Sequence, residues 1–242
     1  EPVIEAPQAM GLKRLFRVSP LGTLGAFGAG LVNGLFWGLT PGFAQRLDMS
    51  TEQIALLMSA VIAGGALLQY PIGLLSDRYD RRTVLVLVSL SAAALAGSVA
   101  GLVWSHVPGL FVVSFLYGGL MFAIYGLAVA HTNDRLTTGH TLSATQGLLL
   151  VYGVGAFLGP LLGGVALREI GPVGVPLIAA LVLAGIALFG LLRSVQREAP
   201  PADEQTDYIA MVRTTPVVLE MHPEAEREPE LDLDFPPPGQ EG

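Results

Sequence analysis

The hydrophobic residues of this chain run in long blocks, and acidic and basic residues fall only outside those blocks. Six stretches contain no Asp, Glu, Lys or Arg, and each is close to or above the roughly 20 residues that a helix needs to cross a bilayer core. They lack the alternation of polar and apolar positions expected of membrane-barrel strands. The pattern predicts an all-α integral membrane protein, a bundle of six transmembrane helices at about residues 21–43, 54–76, 83–104, 108–132, 142–167 and 173–192.

Composition agrees with this prediction and divides the chain into three parts. The 242 residues are 52% hydrophobic and 14% charged, against about 25% charged in soluble domains. Residues 193–242 hold 12 acidic residues and four arginines, which leaves eight acidic and nine basic residues in the rest. We therefore predict a linker at 1–20, a six-helix domain at 21–192 and an acidic, proline-rich cytoplasmic tail at 193–242.

The distribution of Lys and Arg between the stretches predicts the orientation, because short cytoplasmic loops carry an excess of these residues. One side carries only Arg46 and Arg168, and the other carries nine: Lys13, Arg14, Arg17, Arg78, Arg81, Arg82, Arg135, Arg193 and Arg197. Both termini are thus expected in the cytoplasm. The basic segment 11–19 is amphipathic, and it either lies on the inner leaflet or is only a positive-inside anchor.

Several function classes are disfavoured by what the sequence lacks. There is no Cys, no basic stripe for nucleic acid, no phosphate-binding loop and no hydrolase motif. His131, Asp134 and His140 do not have the spacing of standard metal ligands. We expect no enzyme, no metal and no cofactor. The predicted spans contain no carboxylate, so this chain offers no proton relay of that type.

The most specific string, GLLSDRYDRR, lies between the second and third predicted spans. Gly73 permits close helix packing, and Asp77 is predicted to cap the third span. Three basic residues are available for ion pairs or lipid phosphates: Arg78, Arg81 and Arg82.

This string resembles the signature loop of the major facilitator superfamily, Gly-x-x-x-Asp-Arg/Lys-x-Gly-Arg-Arg/Lys. Asp80 stands where the family has glycine, and it can pair with one of the arginines. The resemblance implies a latch that closes the cytoplasmic side, carried mainly by Asp77 and Arg78 and to a lesser degree by Arg81 and Arg82. Over residues 11–197 the chain is most similar to the C-terminal six-helix half of bacterial efflux-like members.

A second string, GAFLGPLLGG, begins at Gly155 in the fifth predicted span. Gly155, Gly159 and Gly163 form a ridge for close helix packing, Pro160 removes a backbone donor, and Gly164 follows. The string resembles the antiporter motif of the superfamily, which is diagnostic in the first half of those proteins. Small-residue packing explains it about equally well.

Polar and aromatic residues follow one face of the first span and one face of the fourth. The resemblance implies that these two helices line a substrate cavity. The alternative for the aromatic residues is packing or an interfacial belt. The cavity candidates are Asn33, Trp37, Thr40, Tyr117, Met121 and Tyr125.

We therefore expect half of a transporter that moves a small organic molecule across the bacterial inner membrane by alternating access. Its expected partners are the lipid bilayer, the substrate, and either an N-terminal six-helix half in the same polypeptide or a second copy. The alternative is a self-contained six-helix membrane protein, acting as a homodimeric half-unit or as a scaffold whose acidic tail binds a partner.

Overall fold

The computed structural model describes residues 11–102, 109–136 and 140–194, and every regular element within these ranges is a helix. The predicted all-α class is confirmed for this part of the chain. Residues 1–10, 103–108 and 137–139, and all of the predicted tail beyond residue 194, lie outside it. The helices are α1 (Leu12–Val18), α2 (Pro20–Gln45), α3 (Thr51–Arg78), α4 (Arg81–Leu102), α5 (Gly109–Asn133), α6 (Thr141–Glu169) and α7 (Gly174–Ser194).

Five of these helices, α3 to α7, are each long and apolar enough to cross a membrane. The helix α2 meets the same criterion only together with α1, from which it is bent by 116°. Its 26 residues include seven glycines and Asn33, which lower its mean hydropathy. By length and composition the described residues thus hold five spans, or six if α1 and α2 count as one.

Local sequence signals explain where the helices begin. Pro20 occupies the first turn of α2, where its missing N–H costs no hydrogen bond. Ser50 and Gln53 form a reciprocal capping box at the start of α3, which satisfies two amide groups that a helix start leaves unpaired.

The helices pack as three main pairs, α2 with α6, α3 with α5, and α4 with α7. A further contact between α4 and α5 and one between α2 and α5 join the pairs into one bundle. Side chains that are almost fully buried fill its centre, among them Leu35, Leu85, Met121, Ile124 and Leu183. The outward faces of α3 and α6 carry large exposed hydrophobic residues, such as Leu67 and Phe157, as expected where lipid is the solvent.

Candidate functional site

The loop string forms the turn between α3 and α4. Because α3 ends at Arg78 and α4 begins at Arg81, Asp80 stands immediately before the new helix. Its carboxylate accepts the backbone N–H of Arg82 at 3.3 Å and that of Thr83 at 3.1 Å. The prediction that Asp77 caps this helix is therefore wrong: Asp80 is the cap, and Asp77 lies in the last turn of α3.

Arg81 connects three helices at this end of the bundle. Its guanidinium donates to Asp77 at 3.0 Å and to Asp134, just after α5, at 2.8 Å. The side chain of Arg81 is only 1% exposed and that of Asp134 only 5%, whereas Asp77 is 26% exposed. Asp134 is thereby paired with the loop between α3 and α4. We call Asp77, Asp80, Arg81, Arg82 and Asp134 the charged cluster.

Arg82 extends the charged cluster to α7. Its guanidinium donates to the backbone carbonyl of Arg193 at 3.4 Å, near the C-terminal end of α7, where a cation is favoured by the helix dipole. Its Nε also lies 3.9 Å from Asp80. Gly73 is buried on α3 and Arg78 is exposed. Arg81 and Arg82 thus bind within this bundle, while Arg78 is directed to its surface.

The six cavity candidates do not form one surface. Asn33 is buried and donates to the carbonyl of Ala29 on its own helix at 2.9 Å, and Met121 is completely buried in the core. Trp37 is 39% exposed and packs edge-on against Phe36. The ring of Tyr125 lies 4.8 Å from that of Tyr152 on α6.

Thr40 and Tyr117 do share a cavity, together with Ser114. It lies toward the end of the bundle opposite the charged cluster, among apolar residues of α2, α3, α4, α5 and α7. Its volume is about 60 Å³, well below the roughly 300–1,000 Å³ of sites that hold small-molecule ligands. A ligand-sized site at these two residues therefore needs further walls or a different conformation.

The glycine string on α6 packs directly on α2. A side chain at Gly155 or Gly159 would meet the backbone carbonyl of Phe27 or Leu31, and one at Gly163 would meet the side chain of Leu35. These three glycines face α2 at close range. A side chain at Gly164 would meet nothing within 4 Å, so Gly164 is not part of the contact. Helix α6 continues through Pro160.

A matching ridge on α2 was missed in the sequence. Side chains at Gly30 and Gly34 would meet the carbonyls of Tyr152 and Ala156, and one at Gly38 would lie 2.9 Å from the ring of Pro160. These glycines recur every four residues, as those of α6 do, and that spacing is the signal that could have revealed them.

Single hydrogen bonds also link neighbouring helices. Gln69 on α3 donates to the carbonyl of Phe122 on α5 at 2.9 Å. Gln146 lies beside an apolar groove on α6. At the end opposite the charged cluster, Arg46 donates to the carbonyl of Leu167 at 2.9 Å. Sequence reasoning used Arg46 only for orientation and missed this contact between α2 and α6.

Comparison with known proteins places these features in a family. A family model described as Major Facilitator Superfamily matches residues 22–224. An uncharacterized MFS-type transporter of Enterobacter sp. (strain 638) is 32% identical over 160 residues, which cover 64% of this chain and 39% of the relative. The uncharacterized MFS-type transporter YcaD of Escherichia fergusonii is 31% identical over 145 residues, 60% of this chain and 36% of the relative. YcaD of Salmonella newport is 32% identical over the same length.

The matched regions cover less than half of the length of these relatives. No solved structure matches the chain. The family model, in contrast, covers most of the chain, including every described helix from α3 to α7. The apolar helices and the bacterial relatives indicate an integral membrane protein, and the chain belongs to the Major Facilitator Superfamily.

Proposed function

We propose that this chain is the C-terminal six-helix half of a secondary transporter that moves a small organic molecule by alternating access. Membership of a family of membrane transporters supports transport as the activity, and members of this family generally are not enzymes. Matches to little more than a third of each relative support a half-size unit. The self-contained scaffold receives no support from these relatives, which are named as transporters.

The observation that carries the proposal is the difference in burial between the arginines of the charged cluster and the neighbouring Arg78. Arg81 is buried between Asp77 and Asp134, so it holds the ends of α3, α4 and α5 together as one surface. Asp77 is partly exposed and Arg78 is exposed. These two residues can therefore contact an opposing half, while Arg81 and Arg82 hold them in place. A latch of this kind stabilises the state that is closed on the cytoplasmic side.

The substrate we propose is small, organic and amphipathic. Thr40, Ser114 and Tyr117 supply hydroxyl groups beside an otherwise apolar cavity, and Trp37 offers an exposed ring. Helices α2 and α5 contain no Asp, Glu, Lys or Arg. Their contribution to the cavity wall therefore carries no fixed charge. We propose that the remaining walls come from an N-terminal half in the same polypeptide.

The proposed location is the bacterial inner membrane, with both termini and the charged cluster on the cytoplasmic side. The excess of Lys and Arg on that side supports this orientation. The mass of the natural polypeptide tests whether the opposite half is fused to this one. A polypeptide of about twice this mass supports a fused N-terminal half. A species of 25.4 kDa contradicts the fused half and favours a second copy as the opposite wall.

The latch is tested by Asp77→Asn, which removes the charge and keeps the size of the side chain. Because residues 1–242 contain no cysteine, one cysteine at a time in this half can report which side of the protein is open, once any cysteine of the N-terminal half is replaced. We expect Asp77→Asn to favour the inward-open state by about fivefold or more, a typical coupling between sites. A membrane-impermeant maleimide should then label Gln146→Cys faster from the cytoplasmic side and Thr40→Cys more slowly from the outside.

The matched control is Asp48→Asn. Asp48 is an exposed carboxylate between α2 and α3, with a φ of 55° that asparagine also tolerates. This variant should label like the parent protein at both cysteines. Equal labelling of the Asp77→Asn variant and the Asp48→Asn control, at equal amounts of inserted protein, would refute the latch.

A further inference from the structure

The short helix α1 has three chemically different sides. Leu15 is completely buried, in a cluster with Ala26 of α2, Ala128 of α5 and Leu148 of α6. This one residue attaches α1 to the end of the bundle. The rest of α1, apart from the half-buried Val18, is exposed.

The exposed surface divides into an apolar side and a cationic side. Leu12 is 50% exposed and Phe16 is 46% exposed, and at four residues apart they lie next to each other on the helix. Lys13, Arg14 and Arg17 are exposed on the side that remains. Around the helix, at about 100° per residue, the buried, apolar and cationic sides therefore follow one another in that order.

The position of α1 is fixed relative to the first membrane-spanning helix. The bend of 116° turns α1 across the axis of α2. The bend is held where the hydroxyl groups of Ser19 and Thr132 are 3.1 Å apart, and a side chain at Gly22 would collide with these same two residues. With α2 as the first span, as the sequence predicts, α1 lies at the level where that span begins.

We propose that α1 is an interfacial lipid-binding helix. Leu12 and Phe16 insert between the acyl chains, and Lys13, Arg14 and Arg17 bind the phosphate groups of anionic lipids. Charge complementarity and the covalent continuity with α2 identify the membrane surface as the occupant. The burial of Leu15 leaves the apolar side facing outward from the bundle, as membrane insertion requires.

The depth of α1 can be measured with nitroxide labels on Phe16→Cys and, separately, on Arg14→Cys. The protein is placed in vesicles of phosphatidylcholine and phosphatidylglycerol. We expect the label at position 16 to collide severalfold more often with oxygen than with a water-soluble nickel chelate, and the label at position 14 to show the reverse. Preferential collision of both labels with the nickel chelate would overturn the proposal and leave only a positive-inside anchor.

The role of the cations is tested by changing the lipid. In vesicles of phosphatidylcholine alone, the label at position 16 should move toward water. The triple variant Lys13→Gln, Arg14→Gln, Arg17→Gln should show the same shallow position in both lipids. Arg168→Gln, which removes an exposed cation from the other end of α6, is the matched control and should behave like the parent protein.

The triple variant still has six Lys and Arg on its basic side against two on the other, so its orientation should not change. Labelling of a separate Arg46→Cys by an impermeant maleimide checks this. An effect of phosphatidylglycerol that persists in the triple variant would contradict binding through these three side chains. None of these measurements uses Asp77 or reports which side of the protein is open, so they stand or fall independently of the latch.

Discussion

The two ends of the bundle use arginine in opposite ways. At the charged cluster, Arg81 and Arg82 are buried and bind carboxylates and a helix C-terminus. At the opposite end, Arg168 pairs with its neighbour Glu169 while their side chains are 75% and 60% exposed, and Arg46 is exposed. The same residue type therefore connects helices at one end and mainly covers a surface at the other.

The two ends differ because water can replace the partner of an exposed arginine but not that of a buried one. An exposed ion pair exchanges readily with hydrated ions, and its contribution to stability is between about zero and 1 kcal/mol. A buried guanidinium depends on its carboxylates, since few waters can reach it. The charged cluster is consequently sensitive to single substitutions, whereas the opposite end should tolerate them.

The largest effect is expected for Arg81→Gln. This substitution removes the cation that Asp77 and Asp134 share inside the bundle, and breaking a buried pair costs about 3–5 kcal/mol. Unfolding in mixed micelles of increasing SDS content, followed by far-UV circular dichroism, measures the change. Arg168→Gln should alter the free energy of unfolding by less than about 0.5 kcal/mol. Equal losses for the two variants would remove the distinction between the ends.

An intermediate effect is expected for Asp80→Ala, which removes the N-terminal cap of α4 and costs about 1 kcal/mol. Asp80→Asn separates the cap from the ion pair with Arg82, because asparagine also accepts backbone hydrogen bonds. In the same SDS titration, Asp80→Asn should retain most of the stability that Asp80→Ala loses. If Asp80→Ala and Asp80→Asn destabilise the protein equally, the loss comes from the ion pair with Arg82 and not from the cap.

The smallest effect is expected for Arg46→Gln, at the opposite end. It removes one hydrogen bond to the carbonyl of Leu167 and leaves no buried charge behind. Global unfolding should hardly change, while amide hydrogen exchange in the last turn of α6 should become faster. Unchanged exchange in residues 164–169, with Thr51–Arg78 as the internal reference, would show that this bond does not hold the helix end.

Periodicity and charge made the helices predictable, because a long apolar run without acidic or basic residues has few other stable states in a bilayer. The bend between α1 and α2 was not predictable in this way. Pro20 marks the break between the two helices, but at the bend Ser19 also meets Thr132, which is 113 positions away in the sequence. Local patterns do not contain such contacts.

The candidate site shows the same limit at finer scale. The loop string revealed which charges matter, but the choice between Asp77 and Asp80 as the cap depends on where α3 stops, a matter of one turn. Asn33 is on the predicted face of the first span, yet its amide bonds to its own helix. Spacing locates a side chain on a helix face, and only the neighbouring helices decide what that face meets.

The repeated glycines of α2 and α6 have the same spacing along the two helices. Gly30 and Gly34 on one helix, and Gly155 and Gly159 on the other, each recur after four residues. A slide of one helix past the other by about 6 Å would bring glycines opposite backbone again. The ridges therefore set how close the two helices lie but leave their vertical offset ambiguous, and contacts that occur once, such as Arg46 with Leu167, select one offset.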